Sequence, residues 1–423
     1  VDGLWRLLAG GNWNNGTNCR SRARNANNYR WNTNSNIGAR SCTRIQERVK
    51  LPGWTIHPCQ AVTSGKTHNG ARVWPVGSPI VRPGQNDMAK RHGNLFERIA
   101  NLDNLRLAYQ KARRGKSRMR NVIRFERNVE ENLETIRRSL LNRTFTTSRY
   151  QTKMIHEPKQ REIYILPFSP DRIVQHAAMN ILEPIWDGLM IDDSYACRIG
   201  KGQHAGSRRT MEFVRRYRYC LKADISKFYP SIGQDILYGI VRQKIKCEST
   251  LWLLRDIIYS YPGGRNAPIG NYTSQWFGNL YLNELDRLVK HHYRVKGYLR
   301  YCDDFCLFHD DKGYLQEMKE IIREFLDIKL KLKFSQAEVF PVNQGVDFLG
   351  YRHFPSHILL RKSTAKRVRR RLAKLPRLLE KGRINEEQYR SSIASTRGWL
   401  RWANTHNLSL ALELDRLEQR NAA

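Results

Sequence analysis

Residues 298–308 read Y-L-R-Y-C-D-D-F-C-L-F. Two adjacent carboxylates, Asp303 and Asp304, interrupt a run that is otherwise apolar and aromatic apart from Arg300. Alternation on either side of the pair reads as two strands, and a tight turn is the one place in such a pair where both acids escape burial. The chain must therefore build an antiparallel hairpin with two like charges at or near its tip. Side by side, those charges repel and raise each other's pKa unless a cation neutralises them. Mg²⁺ suits the task, being hard and oxygen-seeking and leaving positions for water and phosphate. Taken alone, the pair also fits a solvated turn, because Asp favours turns.

A further carboxylate bears on that choice. Asp224 ends the strand-like segment C-L-K-A-D-I-S-K-F-Y-P-S-I at 220–232 and is its only acid. Phosphoryl transfer with two metal ions about 4 Å apart needs carboxylates from different strands. Asp224 and Asp303 meet that need, with the Ile225 carbonyl as an additional oxygen ligand.

Composition narrows the partner. The 423 residues carry 74 Lys+Arg against 39 Asp+Glu, a formal net charge of +35. Such a surface attracts phosphate backbones more readily than acidic proteins or membranes. At 40% hydrophobic and 10% aromatic, the chain has material for a large core and two or three domains. No run reaches the roughly 18–20 apolar residues of a membrane span, and no signal peptide is visible. The eight Cys form no C-x-x-C pair, which fits a reduced cytoplasmic compartment.

Helical periodicity begins near Leu95 and runs to Leu141, broken by A-R-R-G-K-S-R at 112–118. The pattern predicts short strands around a turn over 150–168 and an apolar helix over 171–189. It predicts a strand over 219–225, a helix over 274–291 and a strand pair over 298–308. Residues 361–383 hold eleven Lys+Arg against one Glu, with Val368, Leu372, Leu375 and Leu378 at helical spacing. That density of charge exceeds what solubility requires.

The ordered set of motifs resembles a reverse transcriptase. A strand Asp followed by two aromatics precedes a Y-x-D-D hairpin. Upstream, R-E-I-Y-I-L-P-F-S-P-D-R-I-V-Q-H-A and I-L-E-P-I-W are similar to the fingers segments of bacterial retroelement enzymes. Downstream, D-F-L-G-Y at 347–351 is similar to their primer-grip hairpin. The likeness covers roughly 88–405. Residues 269–275, I-G-N-Y-T-S-Q, stand where group II intron and retron enzymes usually have Gln-Gly and Ser-Pro. In this they resemble the reverse transcriptases of diversity-generating retroelements, as do S-Y-A-C-R-I-G-K-G-Q-H-A-G at 194–206 and W-A-N-T-H-N-L at 402–408.

The resemblance implies an α+β right-hand polymerase, with fingers and palm over 88–350 and a basic helical thumb over 351–423. It implies RNA-templated DNA synthesis with two Mg²⁺ ions, errors concentrated at adenines, and diversification of a target gene. Asp224, Asp303 and Asp304 are then catalytic, and with the Ile225 carbonyl they hold metal. Lys159, Arg161, Tyr229, Ile269, Gly270 and Gln275 lie toward the nucleotide. Tyr229 sits beneath the incoming sugar, and Arg161 grips the triphosphate. Tyr301, Cys302, Leu349, Gly350, Lys366, Arg367 and Arg370 lie toward primer and template. Implied partners are a structured template RNA, cDNA primer, dNTPs and a small basic helical accessory protein that oligomerises. The implied setting is the cytoplasm of a bacterium, with the gene bacterial or phage-borne. Two rival readings are a group II-like or retron-like enzyme of ordinary fidelity and an inactive RNA-binding scaffold.

Two departures stand out. Cys302 occupies a place usually filled by Met or Ala. Glu338 stands where related enzymes often place a Lys before the primer grip; Lys331 and Lys333 are nearby, with no role assigned. Residues 1–87 match no part of the polymerase. Ten Asn within 12–36 resemble the variable end of the lectin-like proteins that such elements diversify. A translated template repeat ahead of Met88, a lectin-like binding module, and an RNA-binding arm using Trp13, Tyr29 and Trp31 are the three readings of that stretch.

Overall fold

The computed structural model describes residues 91–156 and 160–414. The Asn-rich extension over 1–87, Lys159 and the last nine residues lie outside the described residues.

The described chain opens with helices. Asn101 caps α1 (Leu102–Arg113) by accepting from the Asp103 amide at 2.8 Å. Helices α2 (Arg120–Glu126) and α3 (Val129–Leu141) follow, and α3 buries Leu133, Ile136 and Leu140, the apolar stripe of its sequence. Strands β1 (Gln151–Ile155) and β2 (Arg161–Ile165) form an antiparallel hairpin. Helix α4 (Ile173–Asp187) stops at Gly188 and is buried on several faces. Ala108 and Ala112 of α1 and Ala177 and Ala178 of α4 are fully or almost fully buried, and the Asn104 amide bonds the Ala177 carbonyl at 3.0 Å. Small residues let the two helices approach closely.

Next come α5 (Gln203–Arg216), β3 (Tyr219–Ile225), α6 (Gln234–Lys244), α7 (Glu248–Tyr259) and α8 (Tyr272–Arg287). The pair β4 (Gly297–Tyr301) and β5 (Asp304–His309), helix α9 (Lys312–Phe325) and β6 (Phe334–Pro341) complete a four-stranded sheet of order β4-β5-β3-β6. Every pairing in it is antiparallel. One face of the sheet, with Leu221, Ala223, Phe305 and Leu307, packs on α9 and belongs to a core shared with α4 and α8. The other, with Cys220, Leu299, Cys306 and Phe308, packs on Phe213 and Val214 of α5. Layers of helix over an antiparallel sheet make the fold α+β.

A three-stranded sheet follows, built from β7 (Val346–Phe348), β8 (Tyr351–His353) and β9 (Ile358–Leu360). The basic segment forms α10 (Lys362–Glu380), and a capping box between Asn385 and Gln388 starts α11 (Glu386–Leu400). Phe348 belongs to the core shared with the large sheet, whereas Tyr351 belongs to a separate core with Leu372, Leu375, Tyr389 and Ile393. The change of core thus falls within the β7–β8 hairpin.

Candidate active site

The acidic pair sits where the alternation of its sequence requires. Tyr301 pairs with Asp304, so Cys302 and Asp303 form a two-residue turn between β4 and β5. Cys302 has φ 59°, the left-handed region that is costly for any side chain but Gly. Two contacts hold it there. The Cys302 carbonyl accepts from Arg300 Nη1 at 3.0 Å, and the Tyr229 hydroxyl lies 3.3 Å from Cys302 Sγ.

Asp224 reaches the same place from β3. The β3–β5 pairing ends at Ala223 with Phe305, one step short of Asp224 and Asp304. On the other side of β3, the register slips between Asp224 and Ile225. This bulge sets Ser335 beside Asp224, and Ser335 Oγ donates to Asp224 Oδ2 at 2.7 Å.

Electrostatics tie the acids together. Burial pushes the Asp303 carboxyl above its usual range, and the charge of Asp224 pushes it further, while Arg161 is among the groups pulling it back. Asp304 is pushed up to about 7 by burial and by Asp224 and Asp303, against the pull of Lys222 and Arg361. Like-charged carboxylates in a partly dry site are short of positive charge. Hard oxygen donors in that condition suit a hard divalent cation. The three carboxylates are not drawn into one ready cage: among the described residues no three His, Cys, Asp or Glu side chains are grouped to hold a metal. Asp224 instead spends one oxygen on Ser335. The expected metal ligands Asp224, Ile225, Asp303 and Asp304 thus share a neighbourhood without forming a closed coordination set.

The other expected residues are spread over several elements. Tyr229 packs against α8, where a β-carbon on Gly278 would lie 3.3 Å from its ring. The Ile269 carbonyl accepts from the Tyr164 amide of β2 at 2.8 Å, and Gly270 lies so near β2 that only a residue without a side chain fits. Gln275 is half-buried in the first turn of α8. At the β7–β8 turn Leu349 and Gly350 have φ 56° and 83°, both left-handed. The Leu349 carbonyl accepts from Gln203 Nε2 at 2.6 Å and the Gly350 carbonyl from the Arg361 amide at 3.0 Å. Lys366, Arg367 and Arg370 are exposed on α10, opposite its buried Thr364, Leu372 and Leu375.

The fold adds residues that the motif reading passed over. Lys222 stands across from Glu338 in the β3–β6 register. It lies two residues before Asp224, hence on the same face of β3. A period-of-two count from Asp224 would have found it. Arg361 bonds Asp347 at 2.5 Å and so links β7 to the start of α10. Nothing in its local sequence signals that contact.

An antiparallel sheet presenting one acid from a central strand and two at the tight turn of the neighbouring hairpin, packed against helices, is a polymerase-like palm. Residues 153–353 match the family model described as "Reverse transcriptase (RNA-dependent DNA polymerase)", a span that includes all three acids and the D-F-L-G-Y hairpin. This stretch of the chain is therefore similar to a reverse transcriptase domain.

Curated relatives agree. Protein YkfC of Escherichia coli (strain K12) is 24% identical over 234 residues, 44% of this chain and 61% of YkfC. The group II intron-encoded protein LtrA of Lactococcus lactis subsp. cremoris is 24% identical over 173 residues, 38% of this chain and 28% of LtrA. Nuclear intron maturase 4, mitochondrial, of Arabidopsis thaliana is 23% identical over 197 residues, 44% of this chain and 24% of that protein. The chain spans about six tenths of YkfC and about a quarter of the two intron-related proteins. Among the described residues no helix is long and apolar enough to cross a membrane.

Proposed function

We propose that this protein is an RNA-directed DNA polymerase. It extends a primer 3′-hydroxyl along an RNA template with dNTPs. The observation that carries this reading is the meeting of Asp224 with the Asp303–Asp304 turn, where burial and then mutual charge raise two of the carboxyls and Arg161 lies within electrostatic reach. When bound there, two Mg²⁺ ions would activate the attacking hydroxyl and stabilise the leaving pyrophosphate oxygen. Asp224, Asp303 and Asp304, with the Ile225 carbonyl, are the groups that would hold them. Arg161, with Lys159 two positions before it in the sequence, supplies positive charge for the triphosphate, and the Tyr229 ring limits room at the sugar 2′ position. The exposed cations of α10 neutralise phosphates along the product duplex without reading sequence.

We further propose the diversity-generating type, with a template-repeat RNA, a small basic oligomeric accessory protein and adenine-biased error in a bacterial or phage host. The support is the I-G-N-Y-T-S-Q segment, whose Ile269 brings an apolar side chain where related enzymes carry a hydrogen-bonding Gln. Apolar contact penalises a mispair less than a hydrogen-bonding contact does. The second reading, a group II-like enzyme of ordinary fidelity, is favoured by the likeness to LtrA and the nuclear maturase.

Primer extension separates the possibilities. Wild type extends a primer on RNA, and Asp303→Ala does not; equal extension by both would remove the polymerase reading. Sequencing the cDNA then tests the subtype. Errors concentrated at template adenines and reduced in Ile269→Gln support the diversity-generating type. Uniform low error in both supports the group II-like one.

A further inference from the structure

Arg300 and Asp286 are both fully buried, and they form a two-pronged ion pair. Arg300 Nε reaches Asp286 Oδ1 at 2.8 Å, and Nη2 reaches Oδ2 at 2.6 Å. The Tyr298 hydroxyl donates to Asp286 Oδ1 at 2.6 Å. The remaining arm, Nη1, donates to Asn279 Oδ1 at 3.2 Å and to the Cys302 carbonyl at 3.0 Å. A planar fork with five donors can make this set of bonds, and an ammonium cannot.

Core packing does not explain the arrangement. Desolvating two charges is expensive, and an apolar pair of the same volume often stabilises a core equally well or better. An apolar pair, however, offers no donor to a main-chain carbonyl. The carbonyl in question belongs to a residue held at φ 59°, the first of the two turn residues before Asp304. Asn279 and Asp286 both belong to α8, the helix that starts just after Ile269 and Gly270 and carries Gln275 in its first turn. Asn279 is anchored in turn, its amide donating to the Ala196 carbonyl at 3.0 Å. The guanidinium thus ties the acidic turn to the helix that carries Gln275 and follows directly on Ile269 and Gly270.

We propose that Arg300 is the positioning residue of the acidic turn: braced by Asp286 and Asn279, it fixes the Cys302 carbonyl and so sets where Asp303 and Asp304 point. The proposal rests on the polymerase reading for its purpose and on the hydrogen-bond geometry for its substance. Two readouts therefore precede activity. In the full-length, metal-free protein, Arg300→Lys and Asp286→Asn should speed amide hydrogen exchange across 301–304. By Mn²⁺ titration, both should weaken ion binding by about 10-fold, the scale seen when groups that orient metal ligands are altered. The Mg²⁺ concentration for half-maximal primer extension should rise by a similar factor, while affinity for an RNA–DNA hybrid is unchanged.

If both variants lose thermal stability yet keep wild-type exchange in the turn, wild-type Mn²⁺ affinity and wild-type Mg²⁺ dependence, the pair is only structural and the proposal fails. Asn279→Ala, which leaves the ion pair intact, serves if the charged variants do not fold; it should move the same readouts in the same direction by a smaller factor, and no movement overturns the proposal. Asp303→Asn assigns the Mn²⁺ signal to this site. Mn²⁺ binding there without any primer extension by wild type would sink the polymerase reading and leave the positioning role standing.

Discussion

A β-carbon on Gly270 would lie 2.0 Å from the carbonyl oxygen of Tyr164. Gly270 also has φ 129°, a conformation closed to ordinary side chains. The approach lets the Tyr164 amide bond the Ile269 carbonyl, so the β1–β2 hairpin and the segment leading into α8 are locked together. Gly270→Ala is expected to lower stability by more than about 1 kcal/mol, read from the urea midpoint. Primer extension should fall further than stability alone accounts for, since Arg161 lies on the displaced hairpin.

The acidic centre makes a pH prediction. Asp304 is held near 7 in the folded protein against 3.8 for a free side chain. Between those values the folded state binds more protons than the unfolded, so this group's contribution makes stability fall as pH rises. Asp304→Asn should remove that part of the slope in urea titrations taken from pH 4 to 7. Extension at limiting Mg²⁺ should climb as pH passes through about 7, and saturating Mg²⁺ should shift the climb to lower pH, because a bound cation favours the charged form. A pH profile indifferent to Mg²⁺ concentration would count against Asp304 as a metal-facing group.

His353 predicts the opposite slope. Trp402 Nε1 donates to Ser207 Oγ at 2.8 Å, leaving the Ser207 proton for His353 Nε2 at 2.7 Å. His353 Nδ1 then donates to the Val346 carbonyl at 3.1 Å, so the ring is neutral. Burial holds it down at about 4 against an ordinary 6.5. Below 6.5 the unfolded chain takes up the proton first, and stability falls as pH drops from there to about 4. The loss amounts to about 3 kcal/mol at most. His176, stacked on Tyr272 and also held down by burial, adds in the same direction. His353→Gln should flatten the acid limb of the stability profile.

The exposed cations of α10 carry a prediction about salt. If Lys366, Arg367 and Arg370 each contact a phosphate, replacing all three with Ala should reduce the slope of log affinity against log salt by roughly 2–3. Affinity should fall alike for hybrids of unrelated sequence. Titrations at several salt concentrations check both points, and an unchanged slope would mean that this face of α10 does not meet nucleic acid.

Much of the molecule is written in local pattern. Alternation around Asp303–Asp304 defined a hairpin, and the strand over 219–225 and the helices over 171–189, 274–291 and 361–383 followed from periodicity alone. Each is short-range: backbone geometry sets the period, and burial of one face enforces it. The hairpin at D-F-L-G-Y was expected from a family resemblance alone, and its left-handed Leu349–Gly350 turn is seen only in the structure.

What local pattern did not contain are contacts between distant segments. Lys222 facing Glu338, Ser335 turned onto Asp224 by a bulge, and Arg361 bridging to Asp347 depend on strand order and register. Arg300 is the clearest case. In sequence it is one cation in an apolar strand, indistinguishable from a solvated residue. Its role is decided by the burial of Asp286 on α8, because only in a dry interior must a guanidinium find several specific acceptors, one of them the carbonyl of the acidic turn. The residue types of the site were determined by the sequence. Their orientation was decided by the tertiary structure, because buried polar groups have few partners to choose from and surface groups have water.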